Sequence, residues 1–323
     1  MPGGEANLSF TFTIPDTASA SLGRLRCNTQ ALLQVVTKPI KALNECAEHF
    51  AVPEAALDLA QELGRGSRDL LIVLLEPTEI WSLQRFEEVF EHSWALQKVD
   101  KELRYASKGQ RTLRNTCVVD IRPFRSASLR KQESEHTRAK LDEEAYSFLE
   151  DILKEIAPQV VLAAQCQTGN MENALARTLC SGLRAVAEKK IRTCGGLDFL
   201  AVNSFHPSTF AKDKLDEWTG GSVSYPRRES AIDLRRALLK LAFRLSFLVA
   251  MNALVGREVV GLGIANLQEA IKHNGPICNI GLWHGEMCAR VTFEYLSKED
   301  DCSSESWQRL KVSKGFVLLR YTC

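Results

Sequence analysis

Two short stretches carry side chains that can do chemistry at the end of an apolar run. "DLLIVLLEPTE" (69–79) stops at Glu76-Pro77-Thr78, and "FLAVNSFHPSTF" (199–210) stops at Asn203, Ser204 and then His206-Pro207-Ser208. A carboxylate in such a place can orient a water or accept a proton. An imidazole can aim a donor at developing negative charge. Each residue also has a plainer reading. Glu76 can be an acid favoured by a helix N-terminus, His206 a turn residue before proline, and Phe210 a buried core residue. A third apolar run, "NTCVVDIRPF" (115–124), ends in Asp120, Arg122 and Pro123.

The continuous apolar run at 69–79 reads as a strand buried on both faces, as in a parallel sheet. Runs at 115–124, 159–165 ("QVVLAAQ") and 198–204 read as three more strands. Helices are predicted between them. In 79–98, Ile80, Leu83, Phe86, Val89, Phe90 and Trp94 recur at three- and four-residue spacing. Further helices are predicted over 139–156, from about 171 to 190, and over 229–255. This βαβαβαβ order implies an α/β fold: a three-layer α/β/α sandwich around a central four-stranded, mostly parallel sheet with right-handed crossovers. In such sheets ligands sit at the carboxyl ends of the strands. The domain is expected to span 23–256. Within 27–64 it holds two or three short helices broken at Pro39 and Pro53. Residues 1–22 are expected to be a flexible extension. Residues 257–323 are expected to be a C-terminal extension, with "ARVTFEY" and "KGFVLLRYT" as strands.

Together "LLEPT", "VVDIRPF" and "FHPST" resemble motifs of the uracil-DNA glycosylase superfamily. Those proteins have a four-stranded parallel sheet. An Asp or Asn before Pro follows their first strand, some members carry Val-Val-x-x-Arg-Pro on a middle strand, and His-Pro-Ser follows the last. "FLEDILKEIAPQVVLAAQ" is similar to their helix–Lys-Pro–strand segment, so the resemblance covers roughly 69–210. It implies hydrolysis of the N-glycosidic bond of uracil or a related damaged base in DNA. It assigns Glu76 to orient water and His206 to polarise the base. Pro77, Thr78, Asn115, Cys117 and Asp120 are then the base pocket, and Phe210 is a wedge that fills the gap left by a flipped base. Ser208 and the basic side chains Arg111, Arg114, Arg122 and Arg125 are expected to meet DNA phosphates. The chain departs from the family pattern at Leu74, Glu76, Thr78 and Cys117, where relatives have Gly, Asp or Asn, Tyr or Gly, and Asn. Those departures support a second reading, a catalytically inactive glycosylase-fold module that binds nucleic acid or protein.

The totals restrict other classes. Basic and acidic residues number 41 and 40, so net charge argues neither for nor against nucleic acid. Ten cysteines form no Cys-x-x-Cys pair, which predicts reduced thiols and no metal or cofactor. The start of the chain has no signal-peptide pattern. The expected location is intracellular, nuclear or cytoplasmic, and the expected state is a monomer. The apolar segment 237–255 contains Lys240 and Arg244 and reads as a buried helix, with no membrane partner. A competing motif, His284-x-Glu286, opens a zinc deaminase signature but lacks the Pro-Cys-x-x-Cys that completes it.

Overall fold

A computed structural model gives the fold. It describes residues 7–13, 22–30, 33, 35–36, 38–77, 85–165, 175, 179, 187–207, 240, 243–259, 290–296, 307–312 and 315–320. The chain divides into two compact units. One comprises 25–207 with 243–259, and the other 1–24, 208–242 and 260–323.

The first unit is built on β3 (Gly66–Leu74), β4 (Thr116–Asp120), β5 (Val160–Ala164) and β7 (Leu197–Ser204). These strands are parallel in the order β4-β3-β5-β7. They are the four apolar runs of the sequence. A fifth strand, β6 (Lys189–Cys194), adds antiparallel to β7, and the two-residue β2 (Val35–Val36) adds antiparallel to the start of β3. The mostly parallel α/β sheet is therefore as expected, with five main strands instead of four. β6 replaces the end of the helix predicted to reach 190. It turns back through Gly195-Gly196, both at positive φ, into β7. Gly66 is required where β3 first meets β4. Its φ is +135°, and a Cβ there would stand 2.6 Å from the Thr116 nitrogen.

Alternation in the strands sorts their side chains between two layers. Leu71, Val73, Cys117, Val119, Val161, Ala163, Phe199 and Ala201 pack with α1 (Lys41–His49) and α6 (Glu135–Ile156) in one core. On the opposite face, Ser204 hydrogen-bonds Ser246 of α7 (residues 243–254) at 2.7 Å. There Glu102 of α4 (Trp94–Ala106) holds Arg244 of α7 at 2.8 Å. These two covered faces complete a three-layer sandwich. The helix predicted over 79–98 is instead α3 (Phe86–His92) followed by α4, broken at Ser93, whose hydroxyl caps Leu96 N–H. α6 begins earlier than expected, because Ser134 caps it through Thr137 N–H. α2 (Glu54–Gly64) follows α1 across Pro53, as the two prolines predict. Between α4 and α6, α5 (Ala127–Gln132) follows β4. Among the described residues Cys27, Cys46, Cys117 and Cys194 are free, buried thiols. No helix among the described residues is long and apolar enough to cross a membrane.

In the second unit, β1 (Asn7–Thr13) pairs antiparallel with β8 (Arg290–Leu296). The N-terminal segment thus contains a strand and is not wholly a loose extension. Strict alternation of Leu8, Phe10 and Phe12 with polar residues accounts for it. β9 (Trp307–Val312) and β10 (Gly315–Arg320) form an antiparallel pair. His284 and Glu286 lie outside the described residues.

Candidate functional site

Strand register brings three expected site residues to one row. Val73 on β3 pairs with Val119 on β4 and with Ala163 on β5, and Ala163 pairs with Asn203 on β7. Glu76, Arg122 and His206 each stand three residues beyond that row, all at the carboxyl edge. Arg122 and Glu76 are neighbours, with Nη1 to Oε2 at 2.9 Å. β5 lies between β3 and β7, so Glu76 and His206 are set about two strand spacings, or about 10 Å, apart.

Glu76 belongs to a network of charges. Arg122 aims its fork at Asp142 on α6, with Nε and Nη2 at 2.8 and 3.2 Å. Arg130 on α5 reaches Glu76 Oε2 at 3.1 Å and Asp142 Oδ2 at 2.9 Å. Arg125 donates to Asp142 Oδ1 at 3.1 Å and pairs with Glu133. Asp142 therefore accepts four guanidinium hydrogen bonds, filling a carboxylate's capacity. Glu76 has one oxygen committed: Oε2 takes both arginines, while Oε1 takes no hydrogen bond from the described residues. Removing one member of a buried ion pair leaves an uncompensated charge, so this network resists rearrangement.

Asp120 stands apart from it. Its backbone pairs with Leu74, yet its buried Oδ1 has no hydrogen-bond partner among the described residues. Three guanidiniums are already balanced by Glu76, Glu133 and Asp142. Burial, with the Glu76 charge adding to it, pushes the Asp120 carboxyl up to about 7. His206 is only partly exposed, and burial of its ring pushes its pKa down to about 4. The imidazole is thus neutral at physiological pH and can donate one N–H without carrying charge. Pro77, after Glu76, is partly exposed at the same edge.

Other expected site residues lie elsewhere. Arg111 is fully buried against Asp69 and Thr29, where Nη1 meets Asp69 Oδ1 at 3.0 Å, so it offers no group to a phosphate. Arg122 and Arg125 are also buried, and hold carboxylates instead of contacting DNA. Arg114 is exposed but precedes β4, at the amino end, and pairs with Glu87 at 2.9 Å. Asn115 ends a 3-10 turn (Leu113–Asn115) and caps Thr112 N–H at 2.7 Å, so it does not join a base pocket. Cys117 points into the core, its thiol on Gly64 carbonyl, and burial pushes its pKa up to about 12. Thr78, Ser208 and Phe210 lie outside the described residues.

No family model matches the chain, and no curated protein matches it. The site must be judged on its own chemistry. Among the described residues no group of three or more His, Cys, Asp or Glu is arranged to hold a metal ion. What the edge offers is a carboxylate steadied by two arginines, a neutral imidazole and a buried carboxyl with a spare oxygen. Glu133 and Asp142 escape strand-end reasoning, because the turn after α5 and the helix α6 supply them. Asp142 does carry a signal: it lies on the buried stripe of α6 with Ala145, Tyr146 and Leu149, where an acid needs a partner.

Proposed function

We propose that this edge is the active site of a divergent uracil-DNA-glycosylase-like hydrolase that cleaves the N-glycosidic bond of uracil or a related damaged base in DNA. The observation that carries the reading is the shared row of Glu76 and His206 at the carboxyl edge. Cleavage leaves a cation-like sugar and an anionic base. Glu76, with Oε2 held by Arg122 and Arg130, presents Oε1 to a water and its charge to the sugar. The neutral His206 donates to the base oxygen where charge develops, and as a fixed donor it needs no reorganisation. DNA is the partner in this reading, and the protein acts as an intracellular monomer.

One observation favours a second reading, a non-catalytic module of the same fold. Both Arg122 and Arg125 are buried in ion pairs, so this edge presents fewer free cations to a phosphate backbone than the sequence promises. Release of base from a uracil-containing oligonucleotide separates the two. Under the enzyme reading His206→Ala lowers the rate by about 10²–10³-fold, as loss of an oxyanion-type donor does, and Glu76→Gln lowers it as well. Absence of release from uracil, hypoxanthine and xanthine substrates alike would leave only the binding module.

A further inference from the structure

The outer side of α4 takes no part in the site at the carboxyl edge. Trp94, Lys98, Lys101 and Tyr105 follow one another at i, i+4, i+7 and i+11, so they form one stripe along three turns, about 16 Å. Trp94 is 44% exposed at one end, and Lys98 Nζ stands 5.4 Å from its ring centre. At the other end the guanidiniums of Arg244 and Arg26 lie 4.1 and 4.9 Å from the ring centre of Tyr105, which is partly exposed. Lys101 is exposed between the two rings, and Lys108 is exposed just beyond the helix. The acids of α4, Asp100 and Glu102, are buried and already hold Arg104 and Arg244. Lys101, Lys108 and Arg26 form no ion pair among the described residues. The stripe therefore keeps a positive charge of its own, in a chain whose total charge is close to balance.

We propose that this face of α4 binds single-stranded nucleic acid, with Trp94 as the platform on which a base stacks and Lys98, Lys101 and Lys108 as contacts to phosphates. Interleaved aromatic and cationic side chains suit a strand with unpaired bases, because every base offers a face for stacking and every phosphate a charge. A duplex hides those faces in its own stack. An anionic membrane suits the helix less well. A helix that lies on lipid turns its apolar face outward, whereas Leu96, Val99, Leu103 and Ala106 of α4 are buried in the protein. The Tyr105 end of the stripe lies toward the amino end of the sheet, since the loop after α4 leads through Leu113–Asn115 into the start of β4. Glu76 and His206 stand at the other end. Binding on α4 is therefore a second activity, independent of base release at the carboxyl edge.

The test uses the full chain and single strands of about 20 nucleotides, longer than one such site. Oligodeoxyadenylate and oligoadenylate contain no uracil and tell DNA from RNA. Fluorescence anisotropy should show an affinity whose logarithm falls linearly with the logarithm of salt concentration. Trp94→Ala should weaken binding by about five- to a hundredfold with the salt slope unchanged, and Trp94→Phe, which keeps a ring, by less. Lys101→Gln and Lys108→Gln should each reduce the slope by about 0.7, the mark of one phosphate contact. These side chains are exposed, so the variants should fold, and unchanged urea midpoints check that. A duplex of the same length should bind more weakly and be indifferent to Trp94→Ala. Binding of either strand in this pattern bears the proposal out, and the ratio of the two affinities identifies the preferred sugar. Absence of binding at low salt, or binding that Trp94→Ala leaves unchanged, overturns it. Affinity for phosphatidylserine vesicles without affinity for either strand overturns it too, and makes the face a lipid contact. None of these results touches the glycosylase reading, which stands or falls on base release.

Discussion

At the amino end of the sheet Arg111 closes on Asp69 and Thr29, whereas at the carboxyl end three guanidiniums close on three carboxylates, Glu76, Glu133 and Asp142. Both regions bury arginine completely, and both use the forked geometry that suits a carboxylate. The amino-end clasp is finished: Asp69 also accepts Leu70 N–H at 3.0 Å and the Ser67 hydroxyl, and the two charges cancel. The carboxyl-end cluster leaves Asp120 over. Similar burial therefore serves two purposes. A closed pair ties the loop after α4 to β3, while the carboxyl-end set leaves the buried Oδ1 of Asp120 with no hydrogen-bond partner among the described residues. Folds carry such unsatisfied groups at sites where function offsets the loss of stability.

The largest effects should come from breaking either cluster. Arg111→Ala should lower unfolding free energy by about 3–5 kcal/mol, because it strands the Asp69 carboxylate, and Arg122→Ala should cost less, because Arg125 and Arg130 still hold Asp142 and Arg130 still holds Glu76. Urea titration reads this directly. The regions should then part when both partners are replaced. Arg111→Met combined with Asp69→Leu should restore most of the stability, since a closed pair can give way to apolar packing. An unrecovered double variant would break the comparison.

Asp120→Asn should act in the opposite direction and depend on pH. The folded carboxyl's pKa is raised from 3.8 to about 7, so the folded chain holds a proton that the unfolded chain releases. Stability therefore declines as pH rises from about 4 to about 7, and the whole penalty is present above that. Removing the titration should stabilise the protein by about 2–4 kcal/mol at pH 8 and by little at pH 4. Thermal melts at both values check it, and equal shifts at both would place Asp120 with the satisfied residues. The smallest effect is expected at the amino end, where Asn115→Ala removes the cap on Thr112 N–H. It should cost about 1 kcal/mol and leave uracil release unchanged. Loss of release would mean that the two ends are coupled.

Much of the sheet can be read from the sequence because its central strands are buried on both faces. Leu70 to Leu74 and Val160 to Ala164 are apolar without interruption, and no amphipathic helix has that pattern. β6 is hidden for the converse reason. Its Lys189-Lys190-Ile191-Arg192 is an exposed edge and carries no apolar signal. The site is legible where chemistry follows a strand directly, as at Glu76, Asp120 and His206. It is illegible where tertiary contact decides a residue's role. Arg111, Arg122 and Arg125 look like a phosphate-binding set in sequence, but their partners Asp69, Glu133 and Asp142 lie 8 to 42 residues away along the chain. Asn115 and Cys117 would share a face if the strand began at 115. It begins at Thr116, after a 3-10 turn, and that change separates them.

β6 also bears on how copies of this protein behave toward one another. Among the described residues it is paired on one side only, with β7. An open strand is a template for a strand from another molecule. Ile191 is 76% exposed there, but exposed Lys189 and Lys190 precede it. An incoming strand would have to desolvate both ammonium groups, which pair with Glu258 and Glu188, before it gained a backbone hydrogen bond. Two lysines that contribute nothing to the core thus set an energetic threshold against edge-to-edge aggregation.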